Sequence, residues 1–499
     1  MDELIPLNLE NLDRMPDGVR VPRYRRADLS AGMVHIGLGN FHRAHQAWYL
    51  HRLFDQGLCH DWAIIGAGVR APDAAQRDRL AAQDWLTTLI ELDPAHRSAE
   101  IIGSMIDYLP VEEGNGALIA AMADPAIRIV SLTVTEGGYY IDPSSNGFDA
   151  HHPDIQHDVA NPATPRTAFG AMIEALRLRR EQGHEPFSCL SCDNLQGNGA
   201  ILRCTLVSMA NMIDPDLATW IENNSSFPNS MVDCIVPATG PDELAQAQDI
   251  GIDDASPVTH ENFRQWVVED DFANGRPAWE KVDVTLGADV QSYESMKLRI
   301  LNGGHQIVAL PGELLGIETI AHATTHPSIS RFFHKVIEDE VVPYVASVPD
   351  MNPRQYLDLV HRRFSNPKVK DTTRRVAFDG SSRQPGFLFP SIRDGLKNGT
   401  SVEGLALATA LWCRYCEGTR DDGSTIEPND PQWSALNKVA LAARDDPALW
   451  LNQRQYYGDL ADNQVFKKAF SEWHILIAAD GAEAAMNAYA PELANATFA

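Results

Sequence analysis

Short β-branched and apolar runs alternate with longer amphipathic segments through the first half of the chain. MVHIGLG (33–39) ends in glycines and leads into AHQAWYLHRLFDQG, which has helical periodicity. DWAIIGAGV (61–69), IRIVSLTVTEGG (127–138), PFSCLSCDNL (186–195) and NSMVDCIVPA (229–238) repeat the strand-like pattern, with helix-length stretches such as TAFGAMIEALRLRREQG between them. Such alternation predicts an α/β domain built on a central, mostly parallel sheet with helices on its faces. Past residue 285 the segments lengthen: ESMKLRILNGGHQIVALPGELLG, SISRFFHKVIEDEVVPYVA and VEGLALATALWCRYC carry helical periodicity, and no comparable β-run follows. Residues 1–285 are therefore expected to form the α/β domain and 286–499 a mainly α-helical one.

Composition narrows the partners. A chain of 499 residues, 44% hydrophobic and 22% charged, has room for more than one core. Its formal net charge of −27 repels phosphate backbones, so no nucleic-acid partner is expected. No apolar run has bilayer length, and the start MDELIPLNLENLD is polar and acidic where a secretory signal is basic and then apolar. The expectation is a cytoplasmic protein with no membrane partner. Seven cysteines, an odd count, suit a reducing compartment. Cys189/Cys192 and Cys413/Cys416 have C-x-x-C spacing but stand too far apart for a compact zinc module, so no metal is expected.

Gly37 and Gly39 follow the first strand directly and precede a helix, where a Rossmann-like domain needs a tight turn and close backbone approach to a pyrophosphate. His42 stands where the third glycine of G-x-G-x-x-G belongs. His42, His45 and His51 do not have a metal-ligand spacing and read as helix-surface or cofactor-edge residues. After the second strand, where an acid would hold the adenine ribose, IIGAGVRAPDAA offers Arg70 and Asp73. The residues leave NAD and NADP both open.

KLRILNGGHQ (297–306) combines an apolar helix pattern with Lys297, Asn302, Gly303, Gly304 and His305. Turning about 100° per residue from Lys297 puts Glu294 near 60°, His305 near 80° and Asn302 near 140°. Leu298, Leu301 and Val308 share that side, while Arg299 and Gln306 mark a more polar one, so the Glu/Lys/Asn/His set is expected to face the protein. Two adjacent glycines cost about 1 kcal/mol each inside a helix and imply that something approaches the backbone closely. A partly desolvated lysine has its amine pKa lowered from about 10.4 and can serve as a general base, and carboxamides can polarise an alkoxide oxygen.

The set K-x-x-x-x-N-x-x-H resembles the signature of the mannitol dehydrogenase family, the long-chain, zinc-independent polyol dehydrogenases. GLGNFHRAHQA (37–47), SLTVTEGGY (131–139), SCDNLQGNG (191–199), FPNSMVDCIVP (227–237), WVVEDDFANGRPAWEKVDV (266–284) and RRVAFDGSS (374–382) match in order, so the resemblance spans roughly 33–470. It implies Lys297 as general base, Asn194 and Asn302 as the oxyanion-stabilising pair, His305 on substrate and Glu294 on the proton path. Glu136, Asp233, Arg375 and Arg383 are implied near substrate, and Gly37, Gly39, Asn40, Phe41 and Arg43 at the cofactor with Arg70 and Asp73. The implied activity is NAD(P)-dependent interconversion of an acyclic polyol and its 2-ketose, mannitol/fructose first and arabinitol or sorbitol next, with substrate between the domains and the chain a monomer. NAD is the first choice of cofactor. Two departures bear on this: Arg383 stands where the family usually has lysine, and Ala71 and Pro72 displace the acids that favour NAD. TEGGY favours the polyol branch over the uronate reductases, the same-fold alternative in which Arg375 or Arg383 would meet a carboxylate. A non-catalytic nucleotide- or metal-binding protein is the alternative of another class.

Overall fold

The computed structural model describes residues 4–492 except 94, 96, 143–146 and 288, and the side chains of Arg97 and Glu136 also lie outside the described set. The chain forms two compact units, Met1–Gln291 and Ser292–Ala499.

The first unit is built on five parallel strands: β1 (Ala31–Ile36), β2 (Ala63–Ala67), β3 (Met105–Tyr108), β4 (Ile129–Leu132) and β5 (Ser188–Ser191). They lie in the order β5-β4-β1-β2-β3. The chain starts at the centre, winds outward one way and then returns to the other side, so the topological switch falls between β1 and β4. Open α/β sheets bind ligands in the crevice at the carboxyl ends of strands at such a point. Both faces are covered, which is why the strands read as unbroken apolar runs. Val34, Ile36, Val130 and Leu132 point to one face, against Met172 and Leu176 of α4 (Ala168–Gln182) and Leu202 and Leu206 of α5 (Asn198–Ile213). Met33, Ile64 and Ile129 take the other, with Leu50 and Phe54 of α2 (Gln46–Asp55). The short α1 (Asn40–Ala44) and the helix α3 (Ala71–Ala81) follow β1 and β2.

A side sheet was not anticipated from the hydrophobic pattern. Thr87–Leu92 pairs antiparallel with Arg97–Ile102, and Val258–Glu261 and Val19–Arg20 flank the pair. Charged positions mask its periodicity. Glu100, one of them, is buried and accepts from Arg20 at 3.0 Å and from the Trp48 indole at 2.8 Å. A third group joins β6 (Ser230–Asp233), β7 (Gln265–Val268) and β8 (Thr285–Leu286).

The second unit is helical, with only isolated β-bridges among its described residues. The unit boundary falls within α6 (Val290–Met296); a six-residue π-helix, Lys297–Asn302, and α7 (Gly303–Leu314) continue directly from it. Helix α8 (Glu403–Cys416) is apolar on nearly every side and accordingly buried. No described helix is long and apolar enough to cross a membrane.

The three histidines after the glycine turn are interior groups, not surface or cofactor-edge ones. His42 stacks flat on His35 of β1, ring centroids 3.4 Å apart and planes 14° from parallel. A stacked imidazole thus occupies the interface that the third glycine serves in other dinucleotide folds. His45 meets the Gln265 carbonyl at 2.9 Å and His51 the Tyr24 hydroxyl at 2.9 Å. Burial holds His35 down to about 3 and His42 well below its ordinary value; burial, with Arg264 nearby, holds His260 down to about 3. In the unfolded chain these rings protonate near pH 6.5. Their neutral-state stability is therefore complete above that value and is lost as pH falls from 6.5 toward 3. Urea unfolding should show stability falling between pH 7 and pH 5 by up to about 1.4 kcal/mol per unit for each such ring. A flat profile across that interval would contradict their neutral burial.

Candidate functional site

The switch point is built around Gly37. Its backbone lies at φ +91°, its N–H donates to Ala67 O at 2.9 Å, and an added Cβ would sit 2.2 Å from Thr133 O. Only glycine satisfies both conditions. A Cβ on Gly39 would meet nothing nearer than Gly37 O at 4.0 Å, so the space over the turn is clear. Asn40 and Arg43, expected at the cofactor, brace the turn from within. The Asn40 amide donates to Thr239 Oγ1 at 2.8 Å and to Pro237 O at 3.1 Å, and its Oδ1 accepts from Arg43 at 2.8 Å. The Arg43 guanidinium is buried and donates to Ser256 O at 2.5 Å. Phe41 is half-buried and stacks on His45 at 4.9 Å.

At the end of β2, Arg70 is exposed. The Asp73 carboxylate accepts from the Val69 N–H at 3.1 Å and the Arg70 N–H at 3.0 Å, closing the start of α3. Of the two residues expected at the ribose, Asp73 already serves the helix start. The clear face of the glycine turn at the switch point, with the exposed Arg70 beyond the end of β2, fits a bound dinucleotide.

At the carboxyl ends of the neighbouring strands stand other expected site residues. Glu136 opens a 3-10 turn, Glu136–Tyr139, after β4; its side chain lies outside the described residues. Asn194 is exposed just beyond β5, and Asp233 is buried as the last residue of β6.

In the second unit the Lys297 segment departs from the α-helix assumed in the rotation above. Lys297–Asn302 is π-helical, and the Gly303 N–H reaches Leu298 O, five residues back. A turn closed i→i+5 holds one residue more than an α-turn, and such turns occur frequently at functional sites. Asn302, fifth after Lys297, therefore comes round above it on the helix rather than well to one side. Lys297 and Glu294 are each 6% exposed, and Asn302 and His305 are half-buried. The His305 ring lies on Phe364 at 3.9 Å, 7° from parallel. The side marked by Arg299 and Gln306 is covered too: Arg299 pairs with Asp394 at 2.6 Å, and the buried Gln306 donates to Val376 O at 2.9 Å.

The two glycines answer to the unit's own packing. A Cβ on Gly303 would lie 3.1 Å from Leu388 Cδ2, and one on Gly304 2.7 Å from Phe333 Cε2. Arg375 forms a bidentate pair with buried Asp371, at 2.6 and 2.5 Å. Arg383 donates to Val376 O at 2.7 Å, the carbonyl that Gln306 also uses. Cys189 and Cys192 are buried in the first unit and Cys413 and Cys416 in the second, and burial pushes all four thiols up. Among the described residues no three His, Cys, Asp or Glu side chains are grouped to hold a metal.

A doubly wound sheet with its glycine turn at the switch point defines a Rossmann-type dinucleotide-binding protein, here continued by a helical unit that carries a buried lysine on a π-turn. Residues 31–281 match the mannitol dehydrogenase Rossmann domain and residues 289–474 the mannitol dehydrogenase C-terminal domain. The chain belongs to the mannitol dehydrogenase family. It is 54% identical over 475 residues to mannitol 2-dehydrogenase of Cereibacter sphaeroides, covering 95% of this chain and 99% of that one. It is 39% identical over 497 residues to mannitol 2-dehydrogenase of Aspergillus terreus, covering 97% and 99%. The solved mannitol 2-dehydrogenase of Pseudomonas fluorescens, a ternary complex with NAD and D-mannitol, superposes with a TM-score of 0.91 at 39% identity over 97% of this chain and 99% of that one. A D-sorbitol dehydrogenase solved in substrate-free form gives 0.85 at 34% identity over 96% and 100%.

Proposed function

We propose that the protein is an NAD-dependent polyol 2-dehydrogenase that oxidises a secondary hydroxyl of an acyclic sugar alcohol to the 2-ketose, mannitol and fructose being the leading pair. Lys297 takes the proton of the reacting hydroxyl, and Glu294 passes it toward solvent. Asn194 and Asn302 donate amide N–H groups to the substrate oxygen as it gains charge, and His305 holds a neighbouring hydroxyl. NAD, when bound, supplies the hydride acceptor. Gly37 and Gly39 would hold its pyrophosphate, and Arg70 is the side chain open to its adenosine end.

The observation that carries this reading is the buried Lys297 at the start of a π-turn with Asn302 one turn on. The mannitol 2-dehydrogenases among the relatives support the substrate class. The D-sorbitol dehydrogenase neighbour makes sorbitol the second substrate to test. The uronate-reductase alternative needs Arg375 or Arg383 for a carboxylate, whereas Arg375 pairs with Asp371 and Arg383 donates to Val376 O. Reduced-nicotinamide absorbance followed across mannitol, sorbitol, arabinitol, fructose and keto-uronates, with NAD and NADP, tests the proposal. The highest kcat/KM is expected for mannitol with NAD. Faster turnover of keto-uronates than of fructose, or no turnover of any polyol, would reject it.

A further inference from the structure

We propose that Asp193 is a positioning residue: its carboxylate holds the turn after β4 in a strained form and so sets Glu136 and Asn194 for the reaction. The inference rests on the reading above, in which Asn194 serves the substrate, and on the substrate contact that the family resemblance implies for Glu136.

Both carboxylate oxygens are used. Oδ1 accepts from the Thr135 N–H at 2.9 Å, and Oδ2 accepts from the Val134 N–H at 3.0 Å and the Tyr139 hydroxyl at 2.7 Å. Asp193 is 9% exposed and Tyr139 fully buried. Burial and the neighbouring carboxylate push the Tyr139 phenol well up, so it stays a donor to Asp193 while its oxygen takes the Ser191 hydroxyl at 2.5 Å. Hydrogen bonds from two successive amides and a phenol to one carboxylate are charge-assisted and strong.

What they hold is strained. Thr135 lies at φ +67°, ψ 163°, a region that a β-branched side chain avoids and that glycine alone enters easily. With the carboxylate gone, Thr135 has no reason to stay there, and its return to negative φ would swing the backbone at 136–138 away from the end of β4. The same residue is pinned on its other side. Asn198, fully buried, donates from Nδ2 to Asp193 O at 3.1 Å and to Ser230 O at 2.8 Å, and its Oδ1 accepts the Ser230 N–H at 2.9 Å. The carbonyl of the peptide leading into Asn194 is thus tied to β6 while the Asp193 side chain ties down the turn after β4. Asp193 links the carboxyl ends of β4 and β5 and, through Asn198, the first residue of β6.

The test is a double-mutant cycle on full-length protein. Asp193→Asn keeps the shape but presents one acceptor to two amides. It should lower kcat for mannitol oxidation by about 30-fold or more while KM for NAD stays within about threefold. In a Thr135→Gly background, where φ +67° is unstrained, the same change should cost less than about threefold. Equal losses in both backgrounds, or a wild-type kcat in Asp193→Asn, would overturn the proposal. Tyr139→Phe, which leaves both amide bonds, should cost about three- to tenfold and serves if Asp193→Asn does not fold; wild-type turnover in it counts against the clamp. A crystal structure of Asp193→Asn, in which one of the two amide bonds must be lost, separates this from the functional reading. An unmoved 134–138 backbone overturns the clamp whatever the substrate, whereas a wild-type chain inactive on every polyol overturns only the reading on which it rests.

Discussion

Replacing Lys297 with alanine is expected to lower kcat for polyol oxidation by about 10³- to 10⁴-fold while the chain remains folded. Removing a positioned general base typically costs two to four orders of magnitude, and the upper range applies here because Lys297 is buried and bulk water reaches it poorly. The second unit should tolerate the change. Its buried neighbours Leu298, Ile300 and Leu301 are untouched, and the π-turn hydrogen bond from Gly303 to Leu298 O is a backbone contact. NADH affinity, read by fluorescence titration, should stay within about threefold, because the loss falls on the reacting hydroxyl and not on the dinucleotide. Turnover within tenfold of wild type in a correctly folded Lys297→Ala would reject the general-base assignment.

Gly37→Ala is the second large effect, and it acts on fold and cofactor together. The added methyl would sit 2.2 Å from Thr133 O, a backbone atom held in place by the Thr133 N–H bond to Ile36 O, and the residue would stay at φ +91°. Left-handed backbone and an overlap that no side-chain rotation relieves together should cost about 3 kcal/mol or more. The overlap lies between β1 and β4, so the switch point itself must open. Thermal melting should drop and NADH binding weaken by more than about tenfold. Gly39→Ala is the control, since its Cβ points into open space and its melting should stay near wild type. Wild-type melting in Gly37→Ala would mean that the two strands do not approach as closely as the 2.2 Å figure requires.

The sequence by itself determined the parallel sheet of the first unit, the helical second unit, the glycine turn and the K-x-x-x-x-N-x-x-H set. Each is a local pattern: a period of two or 3.6, a glycine after a strand, or a fixed spacing along one helix. The side sheet escaped because Glu100 and its neighbours break the apolar alternation, and their charges are tolerated only through partners such as Arg20, which lies far away in the chain. Helix width was equally hidden. A rotation of about 100° per residue assumes the α-turn, and nothing local to KLRILNGGHQ announces the extra residue that the π-turn carries.

Only the tertiary structure decided what each special residue answers to. Gly303 and Gly304 yield to Leu388 and Phe333, Arg43 reaches inward to Ser256, Asp73 closes the start of α3, and Arg375 pairs with Asp371. The strain at Thr135 is held by Asp193, 58 residues later in the chain. The physical reason is common to all of them. Periodicity is written between neighbours along the chain, whereas a steric limit or a buried charge's partner exists only once distant segments have packed.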